Sequence, residues 1–204
     1  MNEMFCFQCE QTAMCKGCTG KAGVCGKPAD TAKLQDKLTG ALIGLARAVK
    51  ISKKETTDTD KALLAGLFTT ITNASFSNEA IQAIIDEVHV ETKKLTPHDQ
   101  VADYDLEQIW QANEDIRSLK SLILFGLRGM AAYAYHAMML KYTDPEINGF
   151  FYEALFILGE EADMNTLLPM VLKTGEVNLK CMALLDKANT ETYGTPVPTT
   201  VPLT

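Results

Sequence analysis

Five of the six cysteines lie between Cys6 and Cys25, so the chain's most reactive side chains are gathered at its start. Cys6 and Cys9 form a C-x2-C pair, and Cys15 and Cys18 form a second. A turn that short lets two thiolates converge on one metal ion or one cluster. Eight residues separate Cys9 from Cys18 and six separate Cys18 from Cys25, which leaves four sulfurs within reach of one another. Four thiolates are what a four-iron cluster takes, and also what a structural zinc ion takes. Zinc modules usually place about 12–20 residues between their C-x2-C pairs. Here only five separate Cys9 from Cys15. The spacing therefore favours an iron–sulfur cluster over zinc, although it is not the bacterial ferredoxin run. Gly17, Gly20, Gly23 and Gly26 let the backbone approach an anionic group and donate to its sulfurs. Lys16, Lys21 and Lys27 against Glu3 and Glu10 give this segment a local charge of +1.

Other residues with chemical potential have plainer readings. Cys181 shares a helix face with Val177, Leu184, Leu185 and Ala188, which predicts a core thiol. His89, His98 and His136 are scattered and read as surface or core imidazoles. Trp110, Tyr133, Tyr135, Phe150, Phe151 and Tyr152 read as packing residues. Glu160, Glu161 and Asp163 read as a solvated helix end. The chain has no glycine-rich phosphate loop, nucleophile elbow or H-E-x-x-H.

A cysteine loop with so few apolar residues cannot build its own core, so other elements must hold it. From Asp30 onward the pattern is helical. Leu34, Leu38, Ala41, Leu42, Leu45 and Val49 form one face, with Asp30 as the predicted cap. A second run covers 58–74. A break over 73–78 leads to a third run capped by Ser77. Residues 95–105 are polar and read as a connection. Helices are predicted over 113–141 and from Asp144-Pro145 to Gly159, the aspartate as N-cap and the proline at the first helical position. Two more are predicted over 163–173 and 176–190, split at Gly175. The predicted fold is all-α: two consecutive three-helix bundles behind a cysteine-rich loop. The expected division is a loop over 1–28, bundles over 29–95 and 106–192, and a proline-rich tail over 193–204.

The chain has 204 residues and a net charge of −7. Its acidity argues against nucleic acid and against a polybasic membrane anchor. The apolar stretch Ser121–Leu140 is interrupted by Arg128 and His136 and reads as a buried helix rather than a membrane span. With no signal-peptide pattern at the N-terminus, a reducing cytoplasmic setting is expected, which disfavours disulfides.

Several segments together resemble the start of the hybrid cluster proteins, also called hydroxylamine reductases. The first is Met4-Phe5-Cys6-Phe7-Gln8-Cys9-Glu10-Gln11-Thr12, with Gly17-Cys18 and Gly23-Val24-Cys25-Gly26-Lys27-Pro28. The others are 67–74, 113–119, 183–190 and 192–194, so the resemblance covers nearly the whole chain. It implies a first domain of two three-helix bundles. It also implies a [4Fe-4S] cluster, or [2Fe-2S] in some members, on Cys6, Cys9, Cys18 and Cys25, with Cys15 unassigned. Family members are longer, and their further domains carry a hybrid iron–sulfur–oxygen cluster where hydroxylamine or nitric oxide is reduced. With one cysteine after Cys25, the chain is not expected to hold that second cluster. The resemblance thus implies an electron-relay domain served by a redox donor protein and packed on the absent domains. A face left bare by their absence is expected to self-associate. The alternative is a non-catalytic helical interaction module locked by zinc.

Overall fold

The computed structural model describes residues 5–9, 17–71, 75–98 and 101–200. Seven α-helices run through these residues, with no named strand among them. Their sole extended pairing is an isolated antiparallel bridge between Cys6 and Cys18. The all-α expectation holds.

Helix α1 (Ala29–Ser52) forms the centre. Its predicted apolar face is buried apart from the half-buried Leu34, and Ile43, Gly44, Ala46 and Ala48 are buried as well. More than one face is covered because α1 packs against α2 (Thr57–Thr69) and α3 (Asn78–Leu95) and also against α6 (Pro145–Leu158). Asp30 is not the cap. Pro28 occupies that position without a side-chain bond. Asp30 instead accepts from the Thr31 N–H and from Asn78 Nδ2, which ties the start of α1 to the start of α3 (2.9 Å each). Helix α2 starts at a reciprocal capping box between Thr56 and Thr59. Its predicted extension through 72–74 lies outside the described residues. Ser77 caps α3 as predicted, accepting from the Ala80 N–H at 3.2 Å.

The connection after α3 contains a short helix, α4 (Glu107–Gln111), that the sequence reading did not anticipate. Five residues are too few to show helical periodicity. The connection is not a free linker either, because the Tyr104 N–H donates to the Gly40 carbonyl in mid-α1 at 3.1 Å. Helix α5 (Glu114–Met139) begins at Asn113, whose side chain accepts from the Ile116 N–H. Helix α6 starts at the predicted Asp144 cap with Pro145 in the first turn.

Helix α7 runs unbroken from Met164 to Tyr193, where two helices split at Gly175 were expected. An interior glycine costs a helix only about 1 kcal/mol. Packing along α5 offsets that. Thr174 sits against Gly126, and the Cys181 thiol donates to the Met130 carbonyl at 3.3 Å. Both contacts advance in the same direction, so α5 and α7 lie parallel, with α6 returning between them.

One continuous apolar core joins all of these helices. Contacts between α1 and α6 and between α2 and α5 link the first three helices to the last three. The link is reinforced by Lys120 of α5, whose ammonium donates to the Leu158 and Glu160 carbonyls at 2.9 and 2.8 Å. These are the unpaired carbonyls at the C-terminal end of α6, where a cation is favoured. No described helix is long and apolar enough to cross a membrane.

Candidate metal centre

Cys6 and Cys18 face each other across the isolated bridge. The Cys6 N–H donates to the Cys18 carbonyl at 3.1 Å and the Cys18 N–H to the Cys6 carbonyl at 2.7 Å. Gly17 makes this approach possible. Its φ is +84°, and a Cβ there would lie 3.2 Å from the Cys6 carbonyl oxygen and 3.1 Å from the Phe5 ring. Cys25 sits in a tight turn, where the Gly23 N–H donates to Lys27 and the Gly26 N–H donates back to Gly23, each at 2.8 Å. Gly26, at φ +85°, completes that reversal. Cys6 and Cys18 are buried, and Cys9 and Cys25 are half-buried. All five described cysteines are free thiols. Cys15 lies outside the described residues.

Gln8, between the two cysteines of the first pair, anchors the loop to the helices. It is 3% exposed. Its amide nitrogen donates to Asp36 Oδ1 at 2.5 Å and to the Ala32 carbonyl at 3.3 Å. Its amide oxygen accepts from Lys27 Nζ at 2.8 Å. Its backbone carbonyl accepts from Arg128 Nη1 at 3.2 Å. Lys27 also donates to Gln35 Oε1. Arg128 donates further to Thr70 Oγ1 at 3.2 Å and Thr39 Oγ1 at 3.4 Å.

The charges of this network act on one another. Burial pushes the Cys6 thiol up, while the Gln8 N–H and the Lys27 charge oppose that rise. Burial lowers the Arg128 guanidinium, and the charges of Asp36, Cys6 and Cys9 counter it. Burial also raises Asp36 to about 6, against the pull of Gln8, Arg128 and Lys27.

Beside the loop, Phe5, Phe7 and Trp110 form an aromatic cluster with ring centroids 5.2–5.7 Å apart. Phe5 and Phe7 then line a cleft of ≈ 380 Å³ together with Asp36, Lys37, Tyr104 and Leu106.

The structure brings Cys6 and Cys18 together by their backbones. It does not gather the described thiols into one coordination sphere: no three Cys, His, Asp or Glu side chains among the described residues stand as a metal-holding group. The donor set nonetheless suits an iron–sulfur cluster. Four soft sulfurs share one loop, and two buried cations stand beside it without a carboxylate within salt-bridge distance among the described residues.

The other candidates take the plainer roles. Cys181 is fully buried, and its thiol is raised to about 11 by burial. His89 contacts the Asp103 carboxylate at 3.0 Å. His136 lies edge-on to Phe68. Asp163 caps α7 and Glu160 pairs with Arg47 at 3.2 Å.

Gln8, Gln35, Asp36 and Arg128 were missed by sequence reasoning as parts of this site. Arg128 did leave a signal, since a lone charge in an otherwise apolar helix needs a buried polar neighbour. Gln8 and Asp36 left none, because ordinary polar residues acquire meaning only once the loop lies on α1.

With a cysteine loop laid across helical bundles, the chain belongs to the Prismane/CO dehydrogenase family, whose model matches residues 4–204. It is similar to the hydroxylamine reductase of Thermodesulfovibrio yellowstonii, at 43% identity over 98% of this chain and 42% of that protein. The hydroxylamine reductase of Solidesulfovibrio magneticus is 40% identical over the same shares, and that of Clostridium novyi 37% identical over 95% of this chain and 40% of its own length. The chain thus spans about two fifths of the curated relatives it matches.

Proposed function

We propose that the chain holds one [4Fe-4S] cluster through Cys6, Cys9, Cys18 and Cys25 and serves as an electron relay. The observation that carries this reading is the Cys6–Cys18 bridge, which closes the first C-x2-C pair onto a downstream cysteine beside Lys27 and Arg128. When bound, such a cluster supplies one-electron redox chemistry. Gln8 fixes the turn between Cys6 and Cys9, and Phe5, Phe7 and Trp110 pack together beside it. The partners of this reading are a redox donor protein and, in longer relatives, the rest of the chain, where hydroxylamine would be reduced. A cytoplasmic setting suits free thiols.

Anaerobic purification followed by iron and sulfide analysis tests it. A brown protein with iron and sulfide in about four-to-four ratio is expected, bleached by Cys9→Ser or Cys18→Ser with helicity retained. A colourless protein with stoichiometric zinc overturns the relay in favour of a structural metal. Hydroxylamine reduction by this chain alone would overturn the assignment of that step to the remainder of longer relatives.

A further inference from the structure

Two cations are buried next to the cysteine loop and, among the described residues, neither touches an anion; the carboxylate whose charge acts on both is Asp36, outside salt-bridge distance. Lys27 is 1% exposed and Arg128 is 6% exposed. Every hydrogen-bond acceptor they reach among the described residues is neutral: Gln8 and Gln35 for the lysine; Thr39, Thr70 and the Gln8 carbonyl for the arginine. Neither takes part in a salt bridge among the described residues. Burial of a cation in that state is strongly disfavoured. Asp36 can offset only one of the two positive charges, and the arrangement is balanced when further negative charge arrives at the loop. Lys27 reaches Gln8 from the loop just before α1 and Arg128 reaches it from α5; the charge of Cys6 acts on both cations and that of Cys9 on Arg128.

Building on the cluster reading above, we propose that Lys27 and Arg128 are positioning residues of the metal centre: their fixed positive charges balance the thiolate-bound cluster and raise its reduction potential. The physical reason is direct. A positive charge in a poorly solvated site stabilises the more negative, reduced form more than the oxidised one. Arginine suits the α5 position because its rigid fork serves three acceptors on three different segments while remaining charged. Lysine suits the loop position because a compact ammonium fits between two amide oxygens.

The test is an anaerobic redox titration of the full chain, followed by electron paramagnetic resonance. The variants are Lys27→Met, Lys27→Arg, Arg128→Met and Arg128→Lys, each with iron, sulfide and helicity measured. The neutral variants are expected to shift the midpoint potential downward at unchanged iron content, and the charge-keeping variants to recover most of the shift. Loss of the cluster in a methionine variant that stays helical, with recovery in its charge-keeping counterpart, also supports the proposal. An unchanged potential in both neutral variants overturns it while leaving the cluster reading intact. So does equal loss of the cluster in neutral and charge-keeping variants. A parent chain that carries no iron–sulfur cluster overturns both.

Discussion

Gln8 shows how much one neutral side chain can organise. Its amide serves Lys27, Asp36 and the Ala32 carbonyl at once, so the turn between Cys6 and Cys9 is held from both sides. Asp36, its carboxylate partner, gives a pH signature. Its ordinary value is 3.8 and burial raises it to about 6, so the folded chain retains a proton that the unfolded chain releases in that interval. The native state therefore binds more protons there, and this group's contribution to stability is full below the ordinary value and is lost as pH rises through about 6. Urea denaturation across this interval should show Asp36→Asn flattening the decline. An unchanged slope would remove Asp36 as its source. The cysteine cluster could be read from type and spacing, because thiols cluster for few reasons, but singling out Cys6, Cys9, Cys18 and Cys25 took the family resemblance. Of their surroundings only Lys27, two residues beyond Cys25, stood in the same segment; Asp36 and Arg128 come from α1 and α5 and meet the loop only in three dimensions.

Helix starts were the most legible elements. Ser77 and Asp144 cap the helices that follow them as predicted, because a short polar side chain before an apolar run has a local job, whereas Asp30 does not cap α1. Glycine was less transparent. Gly175 suggested a break, yet α7 passes through it, and a Cβ added there would meet no atom within 4 Å. Gly40 drew no notice, yet a Cβ there would collide with the Tyr104 carbonyl oxygen. The two residues make a paired prediction. Gly175→Ala should stabilise the chain by up to about 1 kcal/mol through helix propensity. Gly40→Ala should cost about 1–3 kcal/mol as the Tyr104 segment is forced off α1. Chemical denaturation reads both, and equal effects would contradict the close approach at Gly40. Propensity is a local quantity, whereas the Gly40 constraint depends on a segment sixty-odd positions away.

At the scale of the molecule, the two helical groups share one core rather than standing as separate bodies. The chain should therefore unfold in a single transition. Trp110, the sole tryptophan, lies beside Phe5 and Phe7, so its fluorescence reports the cysteine-loop end. Its melting curve should coincide with loss of helical circular dichroism, and two separated transitions would contradict a shared core. Helix α7 packs chiefly on α5 and exposes Leu168, Leu172, Leu179 and Met182 along one side. Periodicity revealed that α7 is amphipathic but not that it carries apolar residues on its outer side too, because an apolar residue's position in sequence does not say which neighbour covers it.

The hydrogen bond from Arg128 to the Gln8 carbonyl spans 120 residues, and it sets an order of events during synthesis. The cysteines leave the ribosome first. The guanidinium that fixes the turn between two of them is made only after α1, α2 and α3 are complete. Until then the nascent loop has its thiols but only part of its setting, so the site matures from its far end, with the last component to be translated closing the first.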